Sequence, residues 1–151
     1  MSIHPTVNQP EKHGHAGQAG DLLTLDVNVF DTDCFGVMWH GAYTKWLEVG
    51  RVQYLAARGV RLSRPGDPDG YIYPVAEQSF RFRAPARYQD CLIMETRLEM
   101  TGAKLVFSQV IRHAETRKLI LEAQTTCVIV DAQWTLQRKL PDAVSGLRPT
   151  V

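Results

Sequence analysis

From Leu22 the chain alternates apolar and polar positions, with Leu23, Leu25, Val27 and Val29 on one side of LLTLDVNVF. That period of two is the signature of a half-buried strand, expected over roughly 22–31. The next stretch, DTDCFGVMWHG, breaks the alternation with two Asp, one Thr and the glycines Gly36 and Gly41, and reads as a turn. In AYTKWLEVGRVQYLAARG the spacing changes. Tyr43, Trp46, Leu47, Gly50 and Tyr54 follow a helical period, and Gly59 stands where a glycine ends a helix, which predicts a helix over about 41–58. The remainder reads as four strands, YIYPVAEQSFRFRAP, DCLIMETRLEMT, KLVFSQVIRHAE and RKLILEAQTTCVIVDA, the last with Val128, Ile129 and Val130 in its β-rich end. The joints Pro85 to Gln89, Thr101 to Ala103, and Glu115 to Thr116 are short enough for hairpin-type antiparallel links.

The order is thus one strand, one helix and four strands, an α+β pattern. A helix with apolar or small residues on most of its circumference keeps surface that one sheet cannot cover, which predicts a second subunit. The length of 151 residues suits one domain. A net charge of +1, from 17 Lys+Arg against 16 Asp+Glu, argues against a nucleic-acid binder. No apolar run reaches membrane-spanning length and the first twenty residues have no apolar leader core, so a cytoplasmic protein is expected. Cys34, Cys91 and Cys127 are far apart and odd in number, which fits a reduced compartment without disulfides or a zinc cluster. Residues 1–20 are Gly/Pro/polar-rich, and despite the pair His13 and His15 they read as a flexible tail. Pro65 to Gly70 lacks the ligand alternation of a calcium loop and reads as a surface turn.

Two motifs carry a resemblance. FDTDCFGVMWHGAYTKWLE over 30–48, followed by Pro85-Ala86-Arg87-Tyr88-Gln89-Asp90, resembles the hotdog-fold acyl-CoA thioesterases of the 4-hydroxybenzoyl-CoA thioesterase and YbgC-like group. The likeness runs over roughly 22–141 and includes VIVD and Leu140-Pro141. It implies a hotdog fold, in which a five-stranded antiparallel sheet wraps one long central helix. The domain would span 21–141, between the N-terminal tail and a C-terminal tail over 142–151. It also implies an acyl-CoA substrate, no metal, no separate cofactor, and a homo-oligomer, dimer or tetramer. Carried over by position, the catalytic carboxylate is Asp33, and the residue whose backbone N–H polarises the thioester carbonyl is His40. Glu48 matches the family's helix glutamate and is the reserve catalytic carboxylate, while Lys104 is the suggested basic contact to coenzyme A, ahead of Arg83 and Arg87. Many members have Tyr four residues before the Asp; Val29 stands there, which takes a tyrosine hydroxyl out of the mechanism.

The residues support that chemistry on their own terms. Thioester hydrolysis needs an anion to attack or to activate water, and a donor for the oxyanion. An aspartate is ionised at neutral pH, so Asp33 can serve as nucleophile or general base. Residues 36–41 approach a helix N-terminus, where unsatisfied N–H groups, those of His40 and of Trp39 beside it, collect negative charge. The competing reading makes Asp33 a turn or cap residue, and Asp31 and Thr32 are read as shaping the turn. Cys34 as nucleophile would need His40 as its base. Gly36 is expected to permit close backbone approach. Phe35 and Trp39 favour an aromatic acyl group, whereas Tyr43 and Trp46 are core aromatics before they are pocket walls. Two other functions fit the fold: a hydratase or dehydratase pairing Asp33 with His40, and a non-catalytic acyl-CoA-binding module.

Overall fold

The computed structural model describes residues 21–64 and 66–147. Strand β1 (Leu22–Asp26) is followed by a 3-10 turn (Val29–Asp31) and helix α1 (His40–Ala57). Then come β2 (Tyr71–Ile72), β3 (Val75–Phe82), β4 (Cys91–Thr101), β5 (Lys104–His113), β6 (Leu119–Cys127), β7 (Val130–Asp131) and a short α2 (Asp142–Ser145). Five strands form one antiparallel sheet in the order β1-β4-β5-β6-β3, and β2 pairs with β7 in a separate two-stranded ribbon.

Alternation along β4 and β5 produces the core. Leu92, Met94 and Leu98 of β4, with Leu105, Phe107 and Ile111 of β5, point inward and are buried against the helix. The helix returns Ala42, Tyr43, Leu47, Tyr54 and Leu55. Gly50 makes this approach possible, because a Cβ there would collide with the Met94 methyl and lie 2.9 Å from Nε2 of Gln109. The Gln109 amide in turn donates to the Leu47 carbonyl (3.0 Å) and the Thr96 hydroxyl (3.2 Å), tying helix to sheet inside the core. The far end of α1 is sealed. Val60 N–H reaches back to the Leu55 carbonyl (3.0 Å), and Gly59, at φ 78, donates to Ala56 (3.1 Å), the left-handed glycine termination expected from the sequence.

The pattern misled in five places. The first strand stops at Asp26, and Val29, expected on its inner face, is exposed on the 3-10 turn. The second predicted strand breaks near Pro74 into β2 and β3, and the last breaks after Cys127, so that Val130 belongs to β7. Pro85 to Gln89 is not a hairpin: β3 pairs with β6 at the sheet edge, and the chain crosses two strands before entering β4. The C-terminal tail begins too early at 142, because Val144 and Leu147 are fully buried beside Tyr54, Leu105 and Ile129. The reading of 1–20 as a tail, like 148–151, lies outside the described residues.

Candidate active site

The segment between β1 and α1 folds into a narrow finger. Asp33 N–H donates to the Val37 carbonyl (2.9 Å), Thr32 bridges Met38, and Trp39 N–H donates to the Asp31 carbonyl (2.9 Å). Residues 31–33 therefore run antiparallel to 37–39, and the tip is a tight turn of Asp33, Cys34, Phe35 and Gly36 closed by Gly36 N–H on the Asp33 carbonyl (3.0 Å). Gly36 has φ 74 with open space around it, so its role is the left-handed turn and not the close backbone approach expected.

One carboxylate oxygen of Asp33 shapes that tip, accepting from Phe35 N–H (2.8 Å) and Val37 N–H (3.4 Å). The turn reading therefore applies, and Oδ2 has no partner among the described residues. Asp31 and Thr32 are structural, as read. Thr32 donates its hydroxyl to the Val29 carbonyl (2.6 Å). Asp31 is fully buried, accepting from Lys45 Nζ (2.7 Å) and from the backbone N–H of Asn28 (3.0 Å). Burial alone would raise the Asp31 carboxyl, but the bonds from Lys45 and Asn28 outweigh it and hold it below its ordinary value. This clamp pins the base of the finger to the first turns of α1. Its Lys45 partner left no signal in the sequence, since the pair joins residues 14 apart through tertiary structure.

The finger enters the helix at its base, where Asp31 is opposite Trp39, and carries Asp33 at its tip opposite Val37, three residues before His40. Trp39 is the N-cap with no side-chain cap bond, no acidic residue stands in the first turn, and His40 N–H, as that of the first helical residue, has no acceptor within the helix. Trp39 N–H is spent on Asp31, which removes it as a second oxyanion donor. The Trp39 indole, 43% exposed, lies where a Cβ on Gly41 would stand and packs edge-on against the His40 ring at 5.5 Å. The His40 imidazole therefore faces Trp39, and the Asp33 carboxylate takes its hydrogen bonds from backbone N–H groups. The second motif buttresses the finger: Met38 N–H donates to the Ala86 carbonyl (2.8 Å), and Val37 bridges Arg87.

The other candidates scatter. Phe35 is at the exposed fingertip (82%), and Cys34 next to it is exposed and free. Tyr43 is core, and Trp46 is packed at the core's edge with its indole N–H buried and unpartnered. Glu48 is eight residues along the helix from His40, about 12 Å away, where its carboxylate pairs with Arg51. Lys104 opens β5 at the opposite end of the sheet, about 30 Å of strand from the Cys91 end beside the finger, in a hollow of about 370 Å³ shared with Arg138. One chain does not bring Lys104 to Asp33. Arg51 was missed by the sequence reading, although a charge four residues after Leu47 and four before Leu55 stands on the buried face.

Comparison with known proteins bears on what this arrangement is for. The family described as the thioesterase-like superfamily matches residues 27–146. The acyl-CoA thioester hydrolase YbgC of Escherichia coli is 33% identical over 127 residues, 82% of this chain and 92% of that protein. A probable thioesterase from Bartonella henselae has a similar structure, with TM-score 0.70 and 26% identity over 80% of this chain and 98% of that one. The 1,4-dihydroxy-2-naphthoyl-CoA thioesterase Slr0204 from Synechocystis shares the hotdog fold, with TM-score 0.73 and 21% identity over 81% and 90% of the two chains.

Proposed function

This chain belongs to the thioesterase-like superfamily and is a thioester hydrolase; from that premise we propose that it cleaves acyl-CoA at the finger tip, with Asp33 and the backbone N–H of His40 as its catalytic groups. One observation carries the reading: an aspartate with one oxygen tied into its turn and the other without a partner among the described residues stands on the finger that leads into a helix start with no side-chain cap. A thioester whose carbonyl oxygen accepts from His40 N–H presents its carbonyl carbon to Asp33 Oδ2. Asp33 attacks that carbon directly, or takes a proton from a water that does. The tetrahedral oxyanion is held by the helix N-terminus and collapses with cleavage of the C–S bond, expelling coenzyme A as thiolate. After direct attack the acyl group stays on Asp33 as a mixed anhydride, which a water hydrolyses to the free acid and the regenerated carboxylate; after attack by water the acid forms at once, and in both routes the thiolate takes the proton that the water gives up. Phe35 and Trp39 flank the site, Gly36 sets its turn, and an aromatic acyl group is favoured over short or medium aliphatic ones. The imidazole of His40 packs on Trp39, an arrangement that favours hydrolysis over the Asp–His acid–base pair of a hydratase.

The same reading includes a homodimer. Among the described residues strand β3 pairs only with β6 and its other edge is open, and Val75 and Phe82 are exposed on it, as on a strand that continues its sheet into a second copy. A two-fold axis across that edge reverses the sheet, so that Lys104 of one chain serves the coenzyme A bound at the other chain's finger. The free cysteines Cys34, Cys91 and Cys127 fit a cytoplasmic location. The test is thiol release from a panel of acyl-CoAs by the wild type and Asp33→Asn, with light scattering on the same samples. Thiol release by the wild type alone, from a particle larger than 17.0 kDa, is the expected result. Equal release by both proteins would remove Asp33 from the mechanism.

A further inference from the structure

The inner face of the sheet beyond the helix changes character along its length. Register sets Phe82 opposite Leu121, Phe80 opposite Ala123 and Gln78 opposite Thr125, all on the face toward α1. Near the helix start this strip is aromatic: Phe82 meets Tyr43 edge-on at 5.5 Å and stacks with Phe80 at 5.9 Å. Further along it turns polar. Gln78 donates its amide to the Thr125 hydroxyl (2.9 Å), Arg51 donates Nη1 to the same hydroxyl (3.4 Å), and Arg51 Nη2 pairs with the Glu48 carboxylate. The helix thus runs antiparallel to β3, with the finger at the aromatic end.

The charge at the polar end is not explained by packing. The Arg51 side chain is only 5% exposed while its Glu48 partner is 57% exposed, so a buried cation holds a carboxylate at the open side of the strip. Apolar side chains of similar volume commonly serve stability as well as a buried pair does. Phe82 is 53% exposed, so the chain's own side chains leave the outer end of the aromatic stretch open, while Tyr43 is buried beneath it.

We propose that Glu48, Arg51, Gln78 and Thr125 form the end wall of the acyl site. The wall limits the acyl group to about the 12 Å of helix between His40 and Glu48, and favours acyl groups whose tip hydrogen-bonds over alkyl chains that run past it. This rests on the thioesterase reading, with the carbonyl at His40. An alkyl chain crossing the wall strips water from a guanidinium and a carboxylate without replacing their hydrogen bonds, whereas a hydroxyl at the tip replaces them.

The experiment measures kcat/KM by thiol release for octanoyl-, ω-hydroxyoctanoyl- and palmitoyl-CoA. The proteins are the wild type, Gln78→Leu, and the double variant Glu48→Leu/Arg51→Met, which removes the charges together and leaves neither unpaired. Gln78 is on the half-covered edge strand, so its variant keeps the test alive if the double variant does not fold. In the wild type the ω-hydroxyl raises kcat/KM about tenfold, and palmitoyl falls at least about a hundredfold below octanoyl. In either variant the palmitoyl-to-octanoyl ratio rises about tenfold or more as added methylenes find apolar cover, and the hydroxyl advantage shrinks. Palmitoyl turnover matching octanoyl in the wild type, or ratios unmoved in the folded variants, overturns the wall while leaving the thioesterase standing. Absence of thiol from these three substrates while aromatic acyl-CoAs still release it overturns the wall alone; absence of thiol from every acyl-CoA, aromatic ones included, overturns the acyl-CoA thioesterase reading, and the wall with it.

Discussion

The two ends of α1 are built to opposite rules. At the C-terminal end Gly59 and Val60 fold back onto Ala56 and Leu55, Val60 is buried, and the last carbonyls have partners. At the N-terminal end the cap residue is Trp39, which supplies no side-chain acceptor, and the first turn has no acidic residue. A Ser, Thr, Asp or Asn at that cap is worth typically about 1 kcal/mol. The chain forgoes it at the end where the proposed mechanism develops a negative charge, and takes the full termination at the other. The difference teaches where to look for chemistry in such a fold: at the helix end whose backbone donors are left for a ligand.

The largest effect tests the charge that faces the open end. Asp33→Asn keeps the acceptor for Phe35 and Val37 N–H, and therefore the turn, but removes the anion. Turnover is expected to fall about 10³-fold with an unchanged melting temperature, equivalent to roughly 4 kcal/mol of transition-state stabilisation. Retention of more than about a tenth of the activity, together with a dead Glu48→Gln, would move the catalytic assignment onto the helix.

The donor itself comes next. His40→Ala keeps the backbone N–H and is expected to cost about tenfold or less, while His40→Pro removes it and should cost roughly 10²–10³-fold. Proline is tolerated in the first turn of a helix, so His40→Pro should fold, which a melting curve checks. If His40→Ala is as inactive as Asp33→Asn, the imidazole is catalytic and the acid–base pair of a hydratase becomes the better account.

How much of this was legible in the sequence follows from the range of the forces involved. Local rules fix local structure, so the alternation in LLTLD, the helix with its Gly59 stop, and the turn at Asp33 could be read directly. The resemblance supplied the pairing of the two motifs, and the contacts of Met38 with Ala86 and of Val37 with Arg87 show its physical form. What could not be read depends on partners distant in sequence. Lys45 closes on Asp31, Arg51 on Thr125, and β3 leaves its sequence neighbour β4 to pair with β6. Val144 and Leu147 looked like a tail because a single turn of helix has no period to detect, yet they complete the core under Tyr54.

The clamp at the base of the finger gives a pH signature. The folded-state pKa of Asp31 is below its ordinary value of 3.8, so its ionised form contributes stability above that value, and the contribution is lost as pH falls through the folded pKa. Asp31→Asn should lower stability by about 1–3 kcal/mol at neutral pH, because it removes the charge that faces Lys45 and leaves one acceptor oxygen where Lys45 and Asn28 use two. The gap between variant and wild type, read by urea titration, should close below about pH 4. A gap independent of pH would mean that the hydrogen-bond geometry, and not the charge, holds the finger.

The smallest effect compares two glycines under the same strain. Gly59 and Gly36 have φ values of 78 and 74, and a Cβ at either meets nothing within 4 Å. Substitution by Ala therefore carries only the left-handed backbone penalty, about 1 kcal/mol in each case. For Gly59→Ala that penalty falls on a helix end with no chemistry, so the melting temperature should drop by about 4 °C while kcat/KM at 25 °C stays as it was. Gly36→Ala carries the same penalty in the turn that aims Asp33. Relaxation of φ there shifts the carboxylate relative to His40 N–H, and kcat should fall about tenfold alongside a similar loss of stability, since small misplacements at a reacting centre are expensive. Equal activity in the two variants would show that the finger tip tolerates rearrangement and that Asp33 does not need this turn to act. Loss of activity in both would show that the two helix ends are coupled, and the division between a sealed end and a working end would fail.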